Sequence, residues 1–136
     1  MREFTPENIT SLGPNEVFVF GSNYAGRHGK GAALVAARKF GARRGQGMGM
    51  QGQSYGIATK GWNLAVLPLP TIGVQVEQFL RFARTHPHLV FWVTQIGCNL
   101  ANYSPHQIAP LFGTDIPNNV RLPESFWRVL EGTKIS

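Results

Sequence analysis

Two stretches of this chain combine glycine, amide and basic residues in the manner of anion-binding loops. The first runs from Gly21-Ser22-Asn23 to His28-Gly29-Lys30-Gly31, between an apolar stretch and an alanine-rich one. Glycines at 26, 29 and 31 carry no Cβ, so backbone N–H groups there can come close to a ligand. The helix expected to start at Gly31 adds free N–H groups and the positive end of a dipole, a ready phosphate site. No Gly-Lys-Ser/Thr is present to place a magnesium ligand, so this is not a P-loop. The spacing is not the dinucleotide-binding Gly-x-Gly-x-x-Gly either. A purely structural turn is the alternative for a glycine loop taken alone.

The second stretch is Gly97-Cys98-Asn99-Leu100-Ala101-Asn102-Tyr103. Its small and amide residues can wrap a phosphate or ribose, and Tyr103 can stack on a base or sugar. The competing reading is a tight strand-to-helix connection with Tyr103 in the core. Cys98 lacks any neighbour that would lower a thiol pKa, which favours a small buried thiol over a nucleophile. Lys60 stands directly after an expected strand. There it can neutralise a phosphate or, if partly desolvated, act in acid–base or nucleophilic chemistry; a solvated surface lysine is the alternative. His86-Pro87-His88 follows an expected helix and lacks a third metal ligand, so it reads as a helix terminator. Trp62, Trp92 and Trp127 read as core or interface residues.

The charge distribution supports an anionic partner. Net charge is +6 over 136 residues, and no Asp or Glu occurs from Val17 to Val76. Seven of the 13 Lys and Arg residues fall in that stretch: Arg27, Lys30, Arg38, Lys39, Arg43, Arg44 and Lys60. A positive, carboxylate-free half attracts anions and cannot hold Mg²⁺ by itself. A basic face that only maintains solubility is the plainer alternative. Neither a metal nor a cofactor is called for. A single cysteine, no run of about 20 apolar residues and no apolar leader in the first residues lead to the expectation of a reducing cytoplasm without membrane contact.

The elements that must position these loops follow from patterning. Residues 16–20 and 89–94 read as buried strands, 54–59 as another and 119–122 as a last one. Helices are expected over 31–40, 74–85 and from 123 to about 130, with a short one opened by Ser104 and Pro105. The second helix carries Val76, Phe79, Leu80 and Ala83 on one face and a Glu77–Arg81 pair on another. Residues 63–70 read as extended. Residues 45–53, four of them glycine, read as an ordered loop whose action as a lid is left open. Strands alternating with helices imply one α/β domain over residues 1–136, with a mostly parallel sheet and ligands outside the carboxyl ends of its strands.

At these residues the chain resembles the macrodomain superfamily, the ADP-ribose-binding α/β modules, and more closely a small macrodomain-like family of phages and bacteria. The resemblance is carried by Val17-Phe18-Val19-Phe20-Gly21-Ser22-Asn23, His28-Gly29-Lys30-Gly31-Ala32-Ala33, Gln51-Gly52-Gln53-Ser54-Tyr55 and Ile96-Gly97-Cys98-Asn99-Leu100-Ala101. It implies a three-layer α/β/α fold and an ADP-ribose-type ligand between residues 21–31 and 97–103. Asn8 lies where these proteins carry the aspartate that reads the adenine amino group. Asn23 matches the asparagine facing the distal ribose, and Gly29, Lys30 and Gly31 match the segment along the diphosphate and that ribose. Gly97, Cys98, Asn99 and Leu100 match the second phosphate loop. Lys60 matches the catalytic lysine of relatives that remove ADP-ribose from proteins or DNA bases. Asn8 replaces the family aspartate, Asn99 the glycine before the leucine, and Ala101 the aspartate that protein-acting relatives use.

Three functions are consistent with this reading. The chain is a hydrolase of an ADP-ribosyl bond centred on Lys60 with Asn23, or a non-catalytic module that senses or sequesters an NAD-derived nucleotide, or a nucleic-acid-binding protein. The scarcity of aromatics among the basic residues argues against the last. Partners are then a small nucleotide, free or attached to a protein or nucleic acid.

Overall fold

The β-formers at residues 16–20 grow into a strand longer than their apolar part. In the computed structural model, which describes residues 3–135, β1 covers Glu16–Asn23 and takes in Gly21, Ser22 and Asn23, expected as loop. Residues 1, 2 and 136 of the expected domain lie outside the described residues. The extension has a simple cause: β1 is central, and β3 (Ser54–Lys60) supplies parallel backbone partners as far as Asn23↔Lys60. On its other side β1 pairs in parallel with β4 (Val90–Val93), which pairs in parallel with β5 (Val120–Arg121). The sheet is five-stranded, in the order β2-β3-β1-β4-β5, and only β2 (Gly49–Gln51) is antiparallel.

Alternate side chains of β1 enter two separate cores, as a strand covered on both faces requires. Phe18 and Phe20 meet Ala33, Ala36 and Phe40 of helix α1 (Gly31–Lys39) and its end. Val17 and Val19 join the larger core with α2 (Leu69–Arg84), α3 (Pro105–Ile108) and α4 (Glu124–Ile135). The result is a mixed α/β fold with helices on both faces of a mostly parallel sheet, compatible with three α/β/α layers. The chain moves from β1 to β3 on one side and then to β4 on the other, so the connections diverge at the carboxyl end of β1.

Several sequence expectations change in detail. Helix α2 begins at Leu69 rather than residue 74, because Pro68 stands at its cap and Pro70 in its first turn, where a missing N–H costs nothing. Val76, Phe79, Leu80 and Ala83 are buried as expected. Among the described residues Glu77 and Arg81 do not approach as an ion pair; the i,i+4 pair is Glu124–Arg128 on α4. Ser104 and Gln107 cap α3, the Gln107 side chain accepting the Ser104 backbone N–H at 2.9 Å. Trp62 is 72 % exposed, not core.

Residues 45–53 are partly strand. Gly47 passes so close to β1 that a Cβ there would lie 1.9 Å from the Asn23 carbonyl oxygen. The Arg43 backbone N–H donates to the Gln51 side chain at 2.7 Å, and β2 pairs along β3. The segment is thus the outer edge of the sheet, and its residues do not line the cleft described next.

Candidate functional site

The carboxyl ends of β1, β3 and β4 enclose a cleft of about 420 Å³, within the usual range for small-molecule sites. Its walls contain Gly21, Ser22, Asn23, Gly29, Lys30 and Gly31 from the first loop, with Gly97, Asn99, Leu100 and Ala101 from the second and Lys60 between them. Sequence distance had separated these residues by up to 80 positions; parallel pairing on both sides of β1 brings them together.

The first loop is braced from within. A register shift between Ser22 and Asn23 turns the end of β1 and sets Asn23 opposite Lys60. The Asn23 side chain donates to the Arg27 carbonyl and accepts the Arg27 N–H, both at 2.9 Å, closing the turn. Its amide therefore holds the loop and has one N–H to spare. His28, 2 % exposed, sits edge-on to Phe20 and contacts the Arg43 and Gln46 carbonyl oxygens through Nε2 at 2.8 and 3.0 Å. Both partners only accept, so Nε2 carries the proton. This anchors the loop to the sheet edge and leaves Lys30 and Gly31 at the cleft.

Lys30 caps α1 in an extended conformation with no side-chain cap, and Gly31 follows with φ of +59°. The first N–H groups of α1 therefore have no intrahelical acceptor, and Ala32 and Ala33 line the cleft. A Cβ on Gly31 would meet Leu100 Cδ1 at 3.6 Å, which shows how near the two loops come. In the second loop the Tyr103 N–H closes on the Gly97 carbonyl at 2.8 Å, and Cys98 N–H on that of Gln95 at 3.2 Å. Among the described residues the N–H groups of Asn99, Leu100 and Ala101 have no backbone acceptor.

Charge in the cleft has one sign. Arg27, Lys30 and Lys60 line it, and no carboxylate does. Lys60 is half-buried, and among the described residues its ammonium has no ion-pair or hydrogen-bond partner. Its backbone is fixed by the Tyr24 N–H, which donates to the Lys60 carbonyl at 3.1 Å, and by a bridge to Val66. Thr59 Oγ1 donates to the Ser22 carbonyl at 3.3 Å and ties the two strand ends.

Three expected site residues fall elsewhere. Tyr103 is half-buried against the larger core, and its hydroxyl donates to the Leu67 carbonyl at 2.6 Å, so it does not stack in the cleft. The Cys98 side chain packs on the same core, and burial pushes its thiol up to about 11. Asn8 lies in an adjoining groove of about 1260 Å³ between the N-terminal segment, α1 and α4. Groove and cleft share Ala32, Gln95 and Asn99, so they form one trough. Arg27, Thr59, Leu64 and Gln95 also line the cleft. Of these, Gln95 had a readable signal, its place just beyond a strong strand; Leu64 had none, since a loop bend with φ of +65° delivers it. Among the described residues no three His, Cys, Asp or Glu side chains gather as a metal site, and no helix is long and apolar enough to cross a membrane.

Comparison of the chain with known protein families, curated proteins and solved structures gives no match.

Proposed function

We propose that this is a macrodomain-like fold whose cleft binds an ADP-ribose-type nucleotide. The observation that carries the reading is a cleft with three cationic side chains, a half-buried unpaired lysine among them, and no carboxylate. Residues with N–H groups free of backbone acceptors, at the start of α1 and at 99–101, line it from both loops, which suits a diphosphate. The adjoining groove gives an adenosine room to extend, with Asn8 beside it. In this arrangement the distal ribose lies toward Asn23 and Lys60. The uncharged Lys60 amine attacks the anomeric carbon as its bond to the acceptor breaks, the departing acceptor takes up the proton the amine loses, and water then hydrolyses the lysine adduct. Alternatively, the Lys60 ammonium donates a proton to the departing group as water attacks.

A second reading has its own support. The cleft holds no carboxylate to serve as a general base toward water, and Ala101 is a buried methyl at the second loop. A module that binds the nucleotide without cleaving it fits that chemistry equally.

Calorimetric titration with ADP-ribose, with AMP and NAD as comparators, tests the reading. Micromolar binding of ADP-ribose that disappears in Gly31→Glu is expected, since the new carboxylate would enter the anion site beside Leu100. Lys60→Ala should weaken binding by about 10- to 150-fold if the lysine is chiefly a phosphate partner, given about 1.5–3 kcal/mol for a charged hydrogen bond. Turnover lost while binding survives assigns Lys60 to chemistry. No binding of any of the three nucleotides refutes the reading.

A further inference from the structure

The hairpin that follows Lys60 holds a leucine in a backbone conformation that suits it poorly. Among the described residues only two other than glycine have a positive φ, Leu64 at +65° and Asn102 at +64°. Asparagine accepts this left-handed region readily, whereas the Cβ of a leucine crowds the following carbonyl. The turn imposes the conformation from several sides. The Gly61 N–H donates to the Ala65 carbonyl at 2.8 Å and the Leu64 N–H to the Gly61 carbonyl at 3.1 Å. The Asn63 side-chain oxygen accepts the Ala65 N–H at 3.1 Å, and a bridge between Lys60 and Val66 closes the hairpin.

This conformation brings Leu64 to the cleft and not to a core. Leu64 joins neither hydrophobic cluster, lines the cleft together with Lys60 and is 39 % exposed. Of the other large apolar side chains in the cleft wall, Ile96 is buried and Leu100 is exposed. In the sheet β1 stands between β3 and β4, so Leu64 reaches the cleft from the β3 side and Leu100 from the β4 side. Leu100 lies near Gly31, at the N–H groups that suit a diphosphate. Leu64 instead follows the strand end that carries Lys60.

A leucine has no donor or acceptor to offer a phosphate or a hydroxyl. Among cations, amides and glycines it adds one thing, a surface that takes C–H groups out of water. A pentose ring presents such C–H groups between its hydroxyls, and in an ADP-ribose-type ligand the part beyond the diphosphate is a pentose. We propose that Leu64 is a specificity-determining residue whose side chain packs against the C–H face of that terminal pentose and holds the ring at Lys60. The inference rests on the ADP-ribose reading of the cleft and names the contact that recognises a sugar after the diphosphate. The unfavourable backbone at Leu64 then lowers stability and serves binding.

The test is calorimetric titration with ADP-ribose and with ADP, which lacks the terminal pentose, on the wild type, Leu64→Asn and Leu64→Met. Urea unfolding of each variant runs in parallel. Leu64→Asn should keep or raise the urea midpoint, because asparagine accepts the turn and no core packing is lost. It should weaken ADP-ribose by about 3- to 10-fold, the loss of a partly buried leucine contact, and leave ADP unchanged. The extra charge of ADP does not enter this comparison, since the substitution removes none. Leu64→Met should recover most of the ADP-ribose affinity without a raised midpoint. Equal losses for the two ligands, or an unchanged ADP-ribose affinity, overturn the inference and leave the cleft reading standing. A Leu64→Asn midpoint well below the wild type overturns it as well, since the leucine would then hold the fold. Wild type that fails to bind ADP-ribose overturns the cleft reading and this inference with it.

Discussion

Replacing Gln75 by leucine should loosen the strand that carries Lys60. The partner strand β2 ends opposite Gly56, leaving the outer edge of β3 open where it approaches the cleft. Gln75, buried on α2, fills that gap as a substitute strand: its Oε1 accepts the Ala58 N–H at 2.7 Å and its Nε2 donates to the Ala58 carbonyl at 2.8 Å. Leucine has a similar volume but leaves both backbone groups buried and unpaired. At about 1–3 kcal/mol for each, less about 1 kcal/mol for the more apolar side chain, the net loss is about 1–5 kcal/mol. That is a substantial share of the ~5–15 kcal/mol that holds a domain together. Urea unfolding followed by circular dichroism measures it, and hydrogen exchange at the Ala58 amide locates it. Gln75→Glu adds a check of sign. An ionised carboxylate accepts from Ala58 N–H but sets its other oxygen against the Ala58 carbonyl, whereas a protonated one can donate to it. Its folded pKa is then raised above the unfolded value of about 4.3, so stability is full below that value and is lost as pH rises through the folded pKa. A Gln75→Leu cost under about 0.5 kcal/mol, with unchanged exchange at Ala58, would show that this bond pair does not hold the strand end.

Two further outcomes follow from the same structure. The Glu16 carboxyl is held below its ordinary pKa of 4.5 by the Gly13 N–H and then by the Trp92 indole, which donates at 2.9 Å. A lowered folded pKa gives stability that is present above the unfolded value and lost as pH falls through the folded one. Trp92→Phe should therefore be less stable than the wild type near neutral pH, and the difference should shrink as pH falls below about 4; a gap constant with pH would contradict this account. Cys98, its thiol pushed up to about 11 by burial, should react with iodoacetamide far more slowly in the native protein at pH 8 than in urea. Native reactivity equal to that of a free thiol would mean that its side chain faces the cleft.

Strands and helices were legible where one physical signal dominated. Apart from Glu16 and Thr94 at their ends, residues 16–20 and 89–94 are apolar on both faces, as strands covered on both sides are, and β1 and β4 are adjacent interior strands of the sheet. The four apolar positions of α2 are read from spacing because each must reach the same core. Its start was obscured by Pro68 and Pro70, which signal a break in the middle of a helix and a beginning at its first turn; only the packing of Ile72 distinguishes the two. The glycines at 45–53 look like freedom in a sequence, yet Gly47 is required by the approach of its backbone to Asn23.

Residue types alone determined that two glycine- and amide-containing loops carry no carboxylate and that the first lies in a basic, carboxylate-free half, because charge and missing Cβ atoms are properties of the chain itself. Tertiary structure decided which of those groups share one space. Parallel pairing about β1 assembled residues 21–31, Lys60 and 97–101, and it sent Cys98 and Tyr103 to the core and Asn8 to the adjoining groove. It also put Trp62 in solvent beside Tyr24, 38 positions earlier in the chain. A single sequence carries periodicities only within an element. The partners that strand order brings together lie far apart along it, and no local pattern records them.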